Sequence, residues 1–186
     1  MNIAILGGRF DPPHVWNFWT ALQILENVKG MDQVWFMPDY SNAFKPIIAL
    51  PSDRVEMLHF YQTGRIKLST IAVARETTTY TINIVQELVK DVQNRYFWIV
   101  GSDVTAEFIR WRDYQKLARL IQFLVFPRKD YPIKNLPPGF HRVSGNLLLS
   151  NISSSIVRER VKKNLPITSL VFPQVEEYIR RRNLYK

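Results

Sequence analysis

The chain has 186 residues, 46% of them apolar, with no cysteine and a formal net charge of +9. Its length suits one domain over residues 1–186. The missing cysteines exclude disulfides, thiolate chemistry and cysteine-ligated zinc and fit a reducing cytoplasm, and no apolar run nears the roughly 20 residues that span a bilayer. Residues 158–186 hold eight Lys/Arg against three Asp/Glu, so more than half of the positive excess lies there. A basic balance favours phosphate-bearing partners, and a solvated basic helix accounts for it equally well.

Asn2–Leu6 is a short apolar run read as a strand, with neither the basic start nor the cleavage site of a leader. Gly7-Gly8 follow at once, and Phe18, Leu22, Leu25 and Val28 then recur at helical spacing. Asp11 before Pro12 reads as an N-cap with proline at the first helical position. Gln33–Met37 is a second strand ending at Pro38, residues 39–50 a polar loop, and Ser52 a cap for a helix over Asp53–Tyr61. Ile66–Leu68 and Ile71–Val73 read as short strands, and Tyr80–Val92 as a helix through Ile84, Leu88 and Val92. Tyr96–Val100 is wholly apolar and ends in Gly101-Ser102-Asp103; 104–120 reads as mostly helical and Gln122–Phe126 as another strand. Pro127, Pro132, Pro137, Pro138 and Gly139 make 127–146 a loop, Leu147–Leu149 is a last short strand, and two helices, about 153–163 and 173–182, close the chain. Apolar strands alternating with helices predict an α/β, Rossmann-like, doubly wound parallel sheet with helices on both faces. Ligands of such sheets lie beyond the carboxyl ends of the strands, near the point where strand order reverses.

Chemistry concentrates in a few segments. GGRFDPPHVWN (7–17) puts two glycines after a strand, so backbone N–H groups can approach a ligand, and the following helix aims its positive end at the same place. His14 falls in the expected first turn, where a protonated imidazole could meet a polyphosphate, and Asn17 shares its face. ISSSIVRER (152–160) offers hydroxyls at a helix start, with Arg158 placed to grip an anion in bidentate fashion. Asp103, at a strand's carboxyl end, suits a ribose hydroxyl pair or a metal. Each segment also fits an ordinary role: a strand–helix turn, a serine-capped helix, an N-cap, and for Trp111 a core aromatic. His59, in a helix with apolar neighbours, reads as packing, and His141 receives no role. The chain lacks GxxxxGK, GxGxxG, HExxH and GxSxG.

Together, GGxFDPxH and ISSSxxR resemble the nucleotidyltransferases marked by HxGH and a Ser/Thr-rich SSTxxR-like segment. VWFMP (34–38) with Lys45 and Arg54, TYTINIVQEL (79–88), FWIVGSD (97–103), IRWRDYQKL (109–117) and the ending VEEYIRRRNLY are similar to bacterial nicotinate-nucleotide adenylyltransferase. The resemblance implies one nucleotidyltransferase domain over 1–186, with a helical portion from about 153, acting in NAD biosynthesis. That activity moves the adenylyl group of ATP, with Mg²⁺, to nicotinate or nicotinamide mononucleotide and releases pyrophosphate. It implies that Gly7, Gly8, Phe10 and His14 line the ATP site and that Ile152, Ser153, Ser154 and Arg158 hold its phosphates. Gly101 and Asp103 would meet the ribose, Trp111 would stack on the pyridine with Tyr80 and Thr81 closing that pocket, and Lys45 would offer charge to a phosphate. The transfer needs no protein nucleophile and no resident metal ligands: alignment and charge stabilisation suffice.

One departure matters. HxGH reads His14-Val15-Trp16-Asn17, so the second histidine is a neutral amide and the glycine a tryptophan; Phe44 also stands where the family has histidine. A catalytically weak or inactive nucleotide sensor therefore stands beside the enzyme reading. A sister transferase with another phosphate-bearing acceptor is a further alternative, opposed by Trp111 and the TYT segment. Nucleic-acid binding through the basic C-terminal helix is the remote one. A homo-oligomer is left open.

Overall fold

The computed structural model describes residues 1–41, 46–133 and 135–186. Its strands are β1 (Asn2–Gly8), β2 (Gln33–Pro38), β3 (Ile66–Leu68), β4 (Arg95–Gly101), β5 (Gln122–Phe126) and β6 (Phe140–Arg142). Its helices are α1 (Val15–Asn27), α2 (Pro51–His59), α3 (Thr81–Leu88), α4 (Tyr114–Leu120), α5 (Ser154–Lys162) and α6 (Pro173–Arg181). All strand pairs are parallel, in the order β3-β2-β1-β4-β5-β6. The chain winds outward from β1 to β3, then returns to lay β4 beside β1, so the order reverses between those two strands. Successive side chains serve opposite faces. Ala4, Phe36, Ile99 and Leu124 join a core with α1, α2, α5 and α6, while Ile5, Trp98 and Val125 join one with α3 and α4. Burial on both faces is why these strands are apolar runs.

Several local expectations are corrected. Helix α1 begins at Val15 with His14 as N-cap, and Asp11 does not cap it. A residue before proline is pushed out of the helical region, and Asp11-Pro12-Pro13 contains two such positions. Helix α2 starts with Pro51 in its first turn and Leu50 as N-cap, leaving Ser52 inside the helix. Helix α3 stops at Leu88, and Val92 is 89% exposed, so apolar spacing there did not mark burial. The 104–120 segment is broken: a 3₁₀ turn at Phe108–Arg110 precedes α4, and Asp113 between them has φ 52°. Val73–Arg75 is likewise a 3₁₀ turn, so Ile71–Val73 is no strand. The last strand is β6, inside the expected loop, and Leu147–Leu149 lies outside any strand. Gly139, at φ +83° where a Cβ would sit 2.9 Å from the Ala118 carbonyl oxygen, turns the chain into β6. Phe140 then stacks on Phe123 at 4.3 Å. His59 is exposed and pairs with Gln62 at 3.0 Å, outside the core. No helix among the described residues is long and apolar enough to cross a membrane.

Candidate functional site

The carboxyl ends of β1 and β4, at the reversal of strand order, open into two cavities of about 190 and 250 Å³. Gly7, Gly8, Trp98 and Trp111 line both. Lack of a side chain is needed here for space: a Cβ on Gly7 would lie 2.6 Å from Cζ2 of Trp98, and one on Gly101 2.2 Å from Oδ1 of Asp103. Gly8 is roomier, its nearest neighbour being the Phe10 ring at 3.7 Å. Phe10, Asn17, Gly101, Asp103 and Ser154 border the larger cavity; Tyr80, Thr81 and Arg112 border the smaller with Trp111. Arg128 Nε stands 3.2 Å from Oδ1 of Asp103. That oxygen is buried and lacks an aligned hydrogen-bond donor among the described residues.

The two distant motifs meet beside this opening. Arg158 Nη1 donates to the Asp11 carbonyl at 2.6 Å, and Ser154 Oγ donates to the Pro12 carbonyl at 2.8 Å. Arg158 Nη2 also donates to Ser155 Oγ at 3.3 Å, and Ser153 caps α5 by accepting from the Ile156 N–H at 3.4 Å. Beneath the turn lies a buried polar network. The Asp11 carboxylate accepts from the N–H groups of Ile48 (2.8 Å) and Ala49 (3.0 Å) and from the Tyr185 hydroxyl (2.8 Å). Arg54, fully buried, donates to the carbonyls of Arg9 (2.7 Å), Tyr40 (2.9 Å) and Ala49 (3.3 Å). A buried guanidinium is tolerable because its N–H groups find acceptors. Burial lowers the Arg54 pKa, against the opposing pull of Asp11. It raises that of Tyr185, helped by the Asp11 charge.

His14 is buried, which departs from the exposed side chain of an ordinary strand–helix turn. Burial, and then the Arg128 charge, hold its imidazole down at about 3, so it is neutral here, and Nδ1 has no partner among the described residues. Asn17 Oδ1 accepts the His14 backbone N–H at 2.9 Å, which leaves the amide's own N–H₂ as the donor this side chain can offer a ligand. Trp16 is half-buried and packs edge-on against Phe126 at 6.3 Å, on the core side.

The structure thus gathers Gly7, Gly8, Phe10, Asn17, Gly101, Asp103 and Ser154 around one cavity and Tyr80, Thr81 and Trp111 around its neighbour. His14, Ile152, Ser153 and Arg158 are outside both linings; Arg158 and Ser154 bond the Asp11–Pro12 backbone next to His14, and Ser153 caps α5. Lys45 and Phe44 lie outside the described residues. Sequence reasoning gave no role to Asp11 beyond capping, nor any to Trp98, Arg112, Arg128 and Tyr185. The position of Arg128, just past the carboxyl end of β5, was the available signal for it. Much of the basic C-terminal charge is engaged within the chain: Arg182 pairs with Asp53 at 3.1 Å, Lys163 with Glu159 at 2.6 Å, and Arg180 with Glu177.

Residues 5–160 match the cytidylyltransferase-like family. The chain is 36% identical to the probable nicotinate-nucleotide adenylyltransferase of Shouchella clausii, over 99% of this chain and 96% of that one. It is 31% identical to the nicotinate-nucleotide adenylyltransferase of Bacillus subtilis, over 100% and 98%. In fold it superposes on the Plasmodium falciparum nicotinic acid mononucleotide adenylyltransferase complexed with NaAD, with a TM-score of 0.85, 21% identity, and 99% and 97% of the two chains covered. The chain therefore belongs to the cytidylyltransferase-like nucleotidyltransferases and, within them, to the nicotinate-nucleotide adenylyltransferase family.

Proposed function

We propose that this chain, as one nucleotidyltransferase domain in the cytoplasm, transfers the adenylyl group of ATP to nicotinate mononucleotide in NAD biosynthesis. The observation that carries the reading is the direct bonding of Arg158 and Ser154 to the Asp11–Pro12 backbone beside two adjoining cavities. The larger cavity takes adenosine and its phosphates along Gly7-Gly8, with Asp103 toward the ribose. The smaller takes the acceptor, its pyridine against Trp111 between Tyr80 and Thr81. A phosphate oxygen of the acceptor attacks the α-phosphorus, the new P–O–P bridge forms, and the bond to the β-phosphate oxygen breaks to release pyrophosphate. Asn17, Ser154, Arg158 and the glycine N–H groups align the phosphates and stabilise the charge that spreads over their oxygens. His14 begins neutral; an adjacent triphosphate favours its charged form and gives Nδ1 a partner. Lys45, which follows β2 in the sequence, adds its cation.

Among the described residues no three His, Asp or Glu side chains converge on a metal position. Mg²⁺ fits this site as an ion carried by the triphosphate, with Asp103, a carboxylate that borders the larger cavity beside Arg128, suited to it. Its chemistry there is to neutralise phosphate charge.

A second reading is favoured by Asn17, whose carboxamide oxygen is occupied by the His14 N–H and whose remaining donor is neutral: a relative that binds nucleotide and turns over slowly. Pyrophosphate release from ATP and Mg²⁺, with each mononucleotide in turn, decides. Release with nicotinate mononucleotide supports the enzyme. ATP binding without release, restored by Asn17→His, establishes the weak or silent relative. Absence of both ATP binding and release overturns the proposal.

A further inference from the structure

The phosphate-facing half of the site does not distinguish a pyridine carboxylate from its amide; the smaller cavity does. Two charged side chains line that cavity among the described residues, Asp39 and Arg112, and they have different neighbours. The Asp39 N–H donates to the Gly8 carbonyl at 2.9 Å, and its carboxylate lies in the fields of Arg9 and Arg54. Its negative charge is thus faced by two guanidinium groups. Arg112 has aromatic neighbours instead. Its guanidinium carbon lies 4.8 Å from the centroid of the Tyr80 ring, beside Trp111 and the first residue of α3, Thr81. A guanidinium stacked by its face on an aromatic ring keeps its N–H edge for a planar anion, and the stack limits its motion. No carboxylate of the described residues is within ion-pair distance of Arg112. The cation therefore lines the same cavity as Trp111, the ring against which the acceptor's pyridine is proposed to lie.

We propose that Arg112 is a specificity-determining residue, its guanidinium selecting a pyridine acceptor that bears a carboxylate over one that bears a neutral carboxamide. The inference rests on the adenylyl-transfer reading for the identity of the acceptor.

The test compares kcat/KM for nicotinate and nicotinamide mononucleotide in the intact chain, Arg112→Met and Arg112→Lys, at low and high salt. The nicotinate-to-nicotinamide ratio falls about tenfold in Arg112→Met, the low end for a hydrogen bond to a charged group at a partly exposed site. Arg112→Lys, which keeps the charge and loses the fork, retains part of the preference. Rising salt erodes the preference of the intact chain and leaves that of Arg112→Met unchanged. A ratio that is the same in all three proteins, or equal losses on both substrates, overturns the inference; the latter outcome makes Arg112 a structural support for Tyr80. Quenching of tryptophan fluorescence by each mononucleotide, without ATP, provides a readout independent of turnover. An Arg112-dependent preference in binding, with no pyrophosphate released, sustains the role of Arg112 and sinks the transfer reading. Equal affinities in the intact chain sink the role of Arg112, whatever the turnover.

Discussion

Tyr185→Phe isolates the contact that ties the C-terminal segment to the turn before α1. The substitution removes one hydroxyl and keeps the ring, so it opens no cavity. What it takes away is the 2.8 Å donor to Oδ1 of Asp11, a carboxylate with no solvent exposure. Asp11 retains the N–H groups of Ile48 and Ala49, so one of its three observed donors is lost. A hydrogen bond to a buried charge contributes about 1.5–3 kcal/mol, which for a domain of this size lowers Tm by about 3–12 °C. Urea denaturation followed by tryptophan fluorescence reads it as a lower midpoint at constant slope. Tyr178→Phe is the matched comparison. Its hydroxyl donates to Asp53 at 2.8 Å, but Arg182 Nε stays 3.1 Å from the same oxygen, so the expected loss is under about 1.5 kcal/mol. A Tyr185→Phe loss below about 0.5 kcal/mol, or no greater than that of Tyr178→Phe, refutes the reasoning that the last residues hold the turn before α1 through Asp11.

Gly7→Ala forces a Cβ against the Trp98 ring at 2.6 Å and costs about 1–3 kcal/mol by overpacking, with a shifted tryptophan emission and weaker ATP binding; Gly8→Ala, whose Cβ would have 3.7 Å to the nearest protein atom, leaves stability and emission nearly unchanged and weakens ATP binding alone. His14 has a folded pKa of about 3 against an ordinary 6.5, so between those values the unfolded chain binds a proton that the folded chain refuses. Its contribution is intact above pH 6.5 and is lost as the pH falls toward 3, at a limiting slope of about 1.4 kcal/mol per pH unit; pH-dependent unfolding of His14→Gln is flatter across that window. Asn17→His places a chargeable donor at the phosphates and raises kcat by about 10²–10³ if Asn17 limits turnover, read as pyrophosphate release per unit time. Arg158→Met leaves the Asp11 carbonyl without its 2.6 Å donor and weakens ATP binding measured by calorimetry.

The sheet was legible because its strands are apolar on both faces: Asn2–Leu6, Gln33–Met37, Tyr96–Val100 and Gln122–Phe126 all fall within observed strands. Elements whose limits depend on packing were not. The three residues of β6 carry no period of their own and become a strand because Phe140 stacks on Phe123. Asp11 looked like a cap since Asp-Pro before an apolar run has that local form, and it is the distant donors Ile48, Ala49 and Tyr185 that turn its carboxylate inward. His14 could be singled out as chemically interesting, but its charge state follows from burial, to which a linear motif is blind.

By itself the sequence determined the fold class, the two glycine-bearing strand ends and the motifs that place the chain in its family, since these follow from composition, spacing and turn chemistry within short windows. Only the tertiary structure decided which of those segments share a site. Asp11 meets Arg158 across 147 positions and Tyr185 across 174, and Arg112 comes to lie on Tyr80 in the lining of the smaller cavity. Such meetings are fixed by where the crossovers return each strand end in space, and that depends on burying both faces of the whole sheet at once, a condition no local stretch of residues contains.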